Sequence, residues 1–285
     1  MHRFSIREDG EKMIRDITLG QYFPGNSILH KLDPRMKIIL TLFYIVLIFL
    51  AKSLVSYMLL IAFVVFLLCI SKLPIKPVLK GIKPVLFVIT FTAIINIFWT
   101  KGDNLLVDLG FIKIYFEGIL FALYMLIRIV TLITGTSILL TYTTSPIDIT
   151  DGIEQLLSPL KKINLPVHEF SMMMSIALRF IPTLIEETDK IMNAQKARGA
   201  DFSSSKLLER AKSLIPVLIP LFVSSIRRAD DLATAMECRC YRGGNGRTRM
   251  KSLKYSQYDF MMLGALLIFA VVIILVNVYI PIFVV

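Results

Sequence analysis

FMMLGALLIFAVVIILVNVYIPIFVV, residues 260–285, contains no charged side chain. A helix of that length, rising ~1.5 Å per residue, is longer than the ~30 Å hydrocarbon core of a bilayer is thick. That core holds no water to satisfy backbone N–H and C=O groups, so a run placed there must bond internally as a helix. Similar runs recur at 34–51, 54–70, 84–99 and 117–142. The chain of 285 residues is 55% apolar and only 19% charged, with the charge segregated, a composition outside the soluble range. The expected fold is an all-α integral membrane protein with about five transmembrane helices, and with further cytoplasmic helices between the fourth and fifth spans.

Local chemistry marks the joints. Asp33-Pro34 opens the first span, with a carboxylate to cap free N–H groups and a proline suited to a first helical turn. Lys52-Ser53 separates spans one and two in a tight hairpin. In 71–83, Lys72, Lys76, Lys80 and Lys83 predict one face of a short surface helix. The single tryptophan, Trp99, closes span three at an interface position, and 100–116 reads as a short mixed-charge loop. Arg128 lies inside span four, where a cation must face protein or water; both a structural hydrogen-bonding role and a functional contact fit. Residues 1–37 are polar and lack the apolar core of a cleavable signal peptide.

Lys and Arg number 7 in 1–37, 1 between spans one and two, 4 in 71–83, 2 between spans three and four, and 17 between spans four and five. Rich and poor segments alternate, as the preference of basic loops for the cytoplasm requires. This predicts a cytoplasmic N-terminus, a large cytoplasmic insertion and an outside C-terminus. The domains are then 1–143, an N-terminal segment with four spans; 144–257, the cytoplasmic region; and 258–285, the last span. The net charge of +11 follows from this basic inner face and calls for a lipid bilayer rather than nucleic acid.

Within the insertion, the apolar runs 170–181 and 214–226 are interrupted by Pro182, Pro216 and Pro220, which kink or break helices. They read as surface-lying helices. Phe222, Ile226, Ala229, Ala233, Met236 and Cys240 recur at helical spacing, as do Ala177, Ile181, Leu184, Thr188 and Ile191. Each set is a packing seam. Apolar surface of this kind marks an interaction site, to which Met172, Met173 and Met174 add adaptable contacts. The interface residues so expected are Met172, Met173, Ala177, Ile181, Leu184, Ile226, Ala229, Ala233 and Met236. Both helices end alike: Ala197-Arg198-Gly199 and Cys238-Arg239-Cys240 each place an alanine four residues and an aspartate nine residues before the arginine. An arginine there is favoured by the helix dipole and can grip a carboxylate with two hydrogen bonds.

Catalytic signals are missing. Gly243-Gly244-Asn245-Gly246-Arg247-Thr248 lacks the spacing of a phosphate-binding loop, and His168-Glu169 has no second histidine at the offset a zinc helix needs. Cys69, Cys238 and Cys240 form no metal-binding or disulfide framework. We therefore expect no catalytic residues, no metal site and no resident cofactor.

At the two arginine tripeptides the chain resembles the transmembrane T component of energy-coupling factor (ECF) transporters, modular importers of vitamins and trace metal ions. Met236-Glu237, Tyr241-Arg242-Gly243 and the stretch from Gly20-Gln21-Tyr22 through Leu32-Asp33-Pro34-Arg35 share the likeness. The resemblance implies that the cytoplasmic helices are coupling helices. Ala197, Arg198, Gly199 and Cys238, Arg239, Cys240 would each engage one of two ABC ATPase subunits, which bind ATP and magnesium. A small substrate-binding membrane subunit, the S component, would dock beside them. The N-terminal stretch is closer to T components that serve several vitamin-binding subunits than to those dedicated to cobalt or nickel. A rival class is a membrane-embedded enzyme that uses Arg128 and the basic loop on a phosphorylated lipid.

Overall fold

The computed structural model describes residues 22–100, 105–108, 113–163, 166–200, 202, 207–243 and 253–279. Their elements in chain order are α1 (Ile28–Lys31), α2 (Pro34–Leu50), α3 (Leu54–Ser71), α4 (Ile75–Trp99), β1 (Leu105–Asp108), β2 (Lys113–Tyr115), α5 (Phe116–Thr136), α6 (Pro146–Leu156), α7 (Val167–Ala197), α8 (Leu207–Cys238) and α9 (Gln257–Tyr279). A π-helical turn, Ser137–Tyr142, prolongs α5. The chain divides into two compact units: Gly20–Leu156 with Ser252–Val285, and Leu157–Lys251 with Met1–Leu19. Helix α6 falls in the first unit.

In the first unit, α3, α4, α5 with its π turn, and α9 are long and apolar enough to cross a membrane. Helix α2 has 17 residues, with Arg35 and Lys37 near its start; at ~1.5 Å per residue it reaches ~26 Å. Helix α5 packs against α2, α3 and α4, while α9 packs against α2 and α3. The core holds Leu40, Tyr44, Tyr57, Leu60 and Ile138. Tyr57 stacks on Tyr124 at 5.1 Å, and Phe63 on Phe269 at 4.5 Å. Tyr44 donates to the Thr131 carbonyl at 2.8 Å, and its ring lies against Gly135, where a Cβ would sit 2.3 Å away. Only glycine admits that approach.

Polar side chains in this unit tie helix ends together. Asp33 caps α2 as its residue order predicts, accepting from the Arg35 N–H at 2.9 Å. Fully buried Asp259 accepts from the backbone N–H of Ser256 at 2.6 Å and of Asp33 at 2.8 Å, so one carboxylate serves the starts of both α9 and α2. Asn277 locks the tight turn between α2 and α3: its Nδ2 donates to the Leu50 carbonyl at 2.8 Å, and its Oδ1 accepts from Ser56 Oγ at 2.7 Å. Arg128 donates through Nη2 to the Ala51 carbonyl and to the Tyr57 hydroxyl. These contacts hold α5 to the α2–α3 turn.

Three local expectations change. The lysine-rich segment is no separate surface helix: Lys76, Lys80 and Lys83 lie in the first turns of α4, which runs on through Pro84 to Trp99. Pro77 sits in the first turn, where its missing N–H has no partner to lose. The 100–116 segment is more than a loop, because β1 and β2 pair antiparallel with Leu105 opposite Tyr115 and Asp108 opposite Lys113. The prolines of the insertion do not break their helices: α7 runs through Pro182, and α8 through Pro216 and Pro220. Pro220 deprives the Pro216 carbonyl of its helical N–H, and Gln195 Nε2 of α7 donates to that oxygen instead, at 3.4 Å. Residues 1–21, 244–252 and 280–285, with the Gly20-Gln21 signature, most of the glycine-rich turn and the end of the last span, lie outside the described residues.

Candidate functional site

The second unit is built on α7 and α8, which pack on each other. Their contacts run in opposite directions. A Cβ at Gly243 would lie 3.8 Å from Glu169 Oε1, Glu187 meets Ser224 and Arg228, and Gln195 meets Pro216. The pair is therefore antiparallel. Arg239 stands level with residue ~173 of α7, which places the two arginine tips ~37 Å apart along the pair at 1.5 Å per residue.

The tips share one backbone design. At the end of α7, the Gly199 N–H donates to the Lys196 carbonyl and the Ala200 N–H to the Gln195 carbonyl, both at 3.0 Å. At the end of α8, the Cys240 N–H donates to the Glu237 carbonyl at 2.8 Å and the Tyr241 N–H to the Met236 carbonyl at 3.0 Å. Both are Schellman closures, which require a left-handed residue after the cap. Gly199 takes that role at φ +91 and Cys240 at φ +55. The cysteine is thus not a mere small neighbour of Arg239; it adopts the conformation that glycine supplies at the first tip. Arg198 and Arg239 occupy the same cap position, and both are exposed. The aspartates nine residues back lie two and a half turns away, on the opposite helix face. Among the described residues neither arginine has an ion-pair partner.

Between the helices, Ile176, Phe180, Leu184, Ser225, Arg228, Ala229, Leu232, Ala233 and Met236 line an open groove of about 270 Å³. The residues of the expected seam do not all share this groove. Leu184, Ala229, Ala233 and Met236 line it, whereas Phe222 and Ile226 are exposed and lie outside it. The side of α8 that meets α7 carries Ser224 and Arg228, which reach Glu187. Met173 and Ala177 are exposed, and Met172 and Ile181 are half-buried. A second apolar surface of α8 is formed by Leu218, Ile219, Leu221, Phe222, Val223 and Ser225.

Sequence reasoning overlooked the polar clamp at the middle of the pair. Glu187 Oε2 accepts from Arg228 Nη2 at 2.6 Å, and Oε1 accepts from Ser224 Oγ at 2.5 Å. One signal was available: a shift of 41 residues, which lays Arg198 on Arg239, also lays Glu186-Glu187 on Arg227-Arg228.

The family model described as CbiQ, cobalt transport protein, matches residues 25–252. Several curated relatives carry the name energy-coupling factor transporter transmembrane protein EcfT. That of Ruminiclostridium cellulolyticum is 57% identical over 265 residues, 93% of this chain and 98% of its own. That of Clostridium kluyveri is 56% identical over 250 residues, 87% of this chain and 92% of its own. That of Bacillus subtilis is 45% identical over 258 residues, 90% of this chain and 97% of its own. With helices long and apolar enough to cross a membrane, two like-capped further helices and identity along nearly the whole length of these relatives, the chain belongs to the family of energy-coupling factor transporter transmembrane proteins.

Proposed function

We propose that the chain is the non-catalytic transmembrane scaffold of an ECF-type ABC importer. It couples ATP hydrolysis by two ATPase subunits to reorientation of a small substrate-binding membrane subunit in the bacterial cell membrane, for vitamin uptake. The observation that carries this reading is the pair of matched tips: two helix ends with the same closure, each presenting an exposed arginine, at opposite ends of one antiparallel pair. Two like sockets on two like subunits are the natural counterpart. ATP and magnesium belong to those subunits. The N-terminus and α7–α8 face the cytoplasm and the C-terminus faces out, as the basic segments indicate. The groove and the exposed apolar face of α8 supply surface for the substrate-binding subunit.

The test is co-purification and transport for Arg198→Ala, Arg239→Ala and the double variant at matched expression. Losing one partner of a desolvated charge pair costs about 2–5 kcal/mol, so each single variant weakens the complex or uncouples it, and the double is far worse. Lysine keeps charge but not the fork, and rescues only in part. Solvated cap arginines would contribute only about 0.3–1 kcal/mol, and near-normal transport by the double variant would refute the coupling role. A second reading, a T component dedicated to cobalt or nickel, draws on the cobalt-transport description of the matching family model. Uptake of radiolabelled cobalt and of vitamins by the same complex separates the two.

A further inference from the structure

The clamp between α7 and α8 occupies a special place. The shift of 41 residues that superposes the tips carries Glu187 onto Arg228, and these two residues are the ones that meet, at 2.6 Å. An antiparallel pair of like helices has a pseudo-twofold point where equivalent positions face each other. Had both helices kept the same residue there, like charges would oppose; instead the glutamate of one meets the arginine of the other. Glu187 lies eleven residues before Arg198, and Arg228 eleven before Arg239, so each tip is ~16 Å from the clamp along its helix. Neither arm, 187–198 or 228–239, contains proline or glycine. Pro182, Pro216 and Pro220 all lie on the other side of the clamp in their helices, and the N–H groups they lack loosen those parts. Two stiff, equal arms thus diverge from one charged crossing, which Ser224 Oγ completes by donating to the second glutamate oxygen at 2.5 Å.

We propose that Glu187, Arg228 and Ser224 form the fulcrum of the helix pair, holding the two arms as one lever so that displacement of either tip is delivered to the other. The inference rests on the reading of the tips as ATPase contacts. Glu187 and Arg228 are positioning residues and touch neither nucleotide nor substrate.

The experiment uses the full complex reconstituted in vesicles and measures ATP hydrolysed per substrate imported, with subunit stoichiometry checked in the same sample. Arg228→Glu sets two carboxylates at the crossing. It leaves both ATPases bound through the intact tips, and raises ATP consumed per substrate at least about fivefold, the low end of ordinary coupling free energies. The exchange Glu187→Arg with Arg228→Glu restores attraction and returns the ratio to within about twofold of the parent. A role in folding alone would lower the yield of complex and leave the ratio per complex unchanged, and that result overturns the proposal. Should Arg228→Glu fail to assemble, Glu187→Gln decides: it keeps the size and the Ser224 contact, and a parental ratio in that complex overturns the proposal. The Arg198→Ala/Arg239→Ala variant runs alongside. If it uncouples and the clamp variants do not, the fulcrum alone fails; if it too couples normally, the reading of the tips fails and the fulcrum with it.

Discussion

Adding one methyl group at Gly199 and removing a side chain at Cys240 should move the two tips in opposite directions. Gly199 sits at φ +91, and a Cβ there would meet nothing within 4 Å. The effect of Gly199→Ala is therefore purely conformational, free of clash and of new packing. An L side chain in the left-handed region costs roughly 1–2 kcal/mol. Alanine recovers about 0.4–1 kcal/mol of this by restricting the unfolded chain, leaving a net destabilisation of about 0.5–1 kcal/mol. Cys240 already stands at φ +55, so Cys240→Gly should return a similar amount. The natural reporters are the amides that close each tip: Gly199 and Ala200 at the first, Cys240 and Tyr241 at the second. Hydrogen exchange of the chain in detergent should show protection of the first pair falling about two- to fivefold in Gly199→Ala, and protection of the second pair rising about two- to fivefold in Cys240→Gly. Unchanged protection in both variants, or a loss on Cys240→Gly, would refute the shared left-handed closure. The corollary is that the parent protein's second tip frays more readily than its first, so that Arg239 rests on a softer base than Arg198.

Further outcomes follow from packing and charge. Gly135→Ala drives a methyl group into the Tyr44 ring and should lower the thermal midpoint in detergent, by the ~1–3 kcal/mol of an overpacked core; Gly264→Ala, with open space around its Cβ position, should leave it unchanged or slightly raised. A reporter fused after Val285 should be found outside the cell and one inserted near Ser204 inside; both on one side would break the alternation of basic segments.

Much of this protein is legible in its residues taken in order. Runs without charge must be helices in a membrane because a backbone in hydrocarbon can bond only to itself, and that reasoning located α3, α5 and the start of α9 within a few residues. Asp33-Pro34 opened α2 because capping is a contact between near neighbours. The arginine tips were visible for the same reason. What the residue order did not show were features that depend on a distant partner. Pro220 reads as a helix breaker until Gln195, on another helix, is found donating to the carbonyl it orphans. Cys240 reads only as a cysteine outside any metal or disulfide framework until its φ shows it closing the helix as Gly199 does. Arg128 shows no partner in the sequence; the Ala51 carbonyl and the Tyr57 hydroxyl that it meets come from tens of residues away. Glu187 and Arg228 are two surface charges in the sequence; only the antiparallel register joins them. Local order determines which segments are helical and how they end, because those rules act over about four residues. The tertiary structure decides which charges meet and which irregularities are tolerated, because each needs a partner that the chain supplies from tens of residues away.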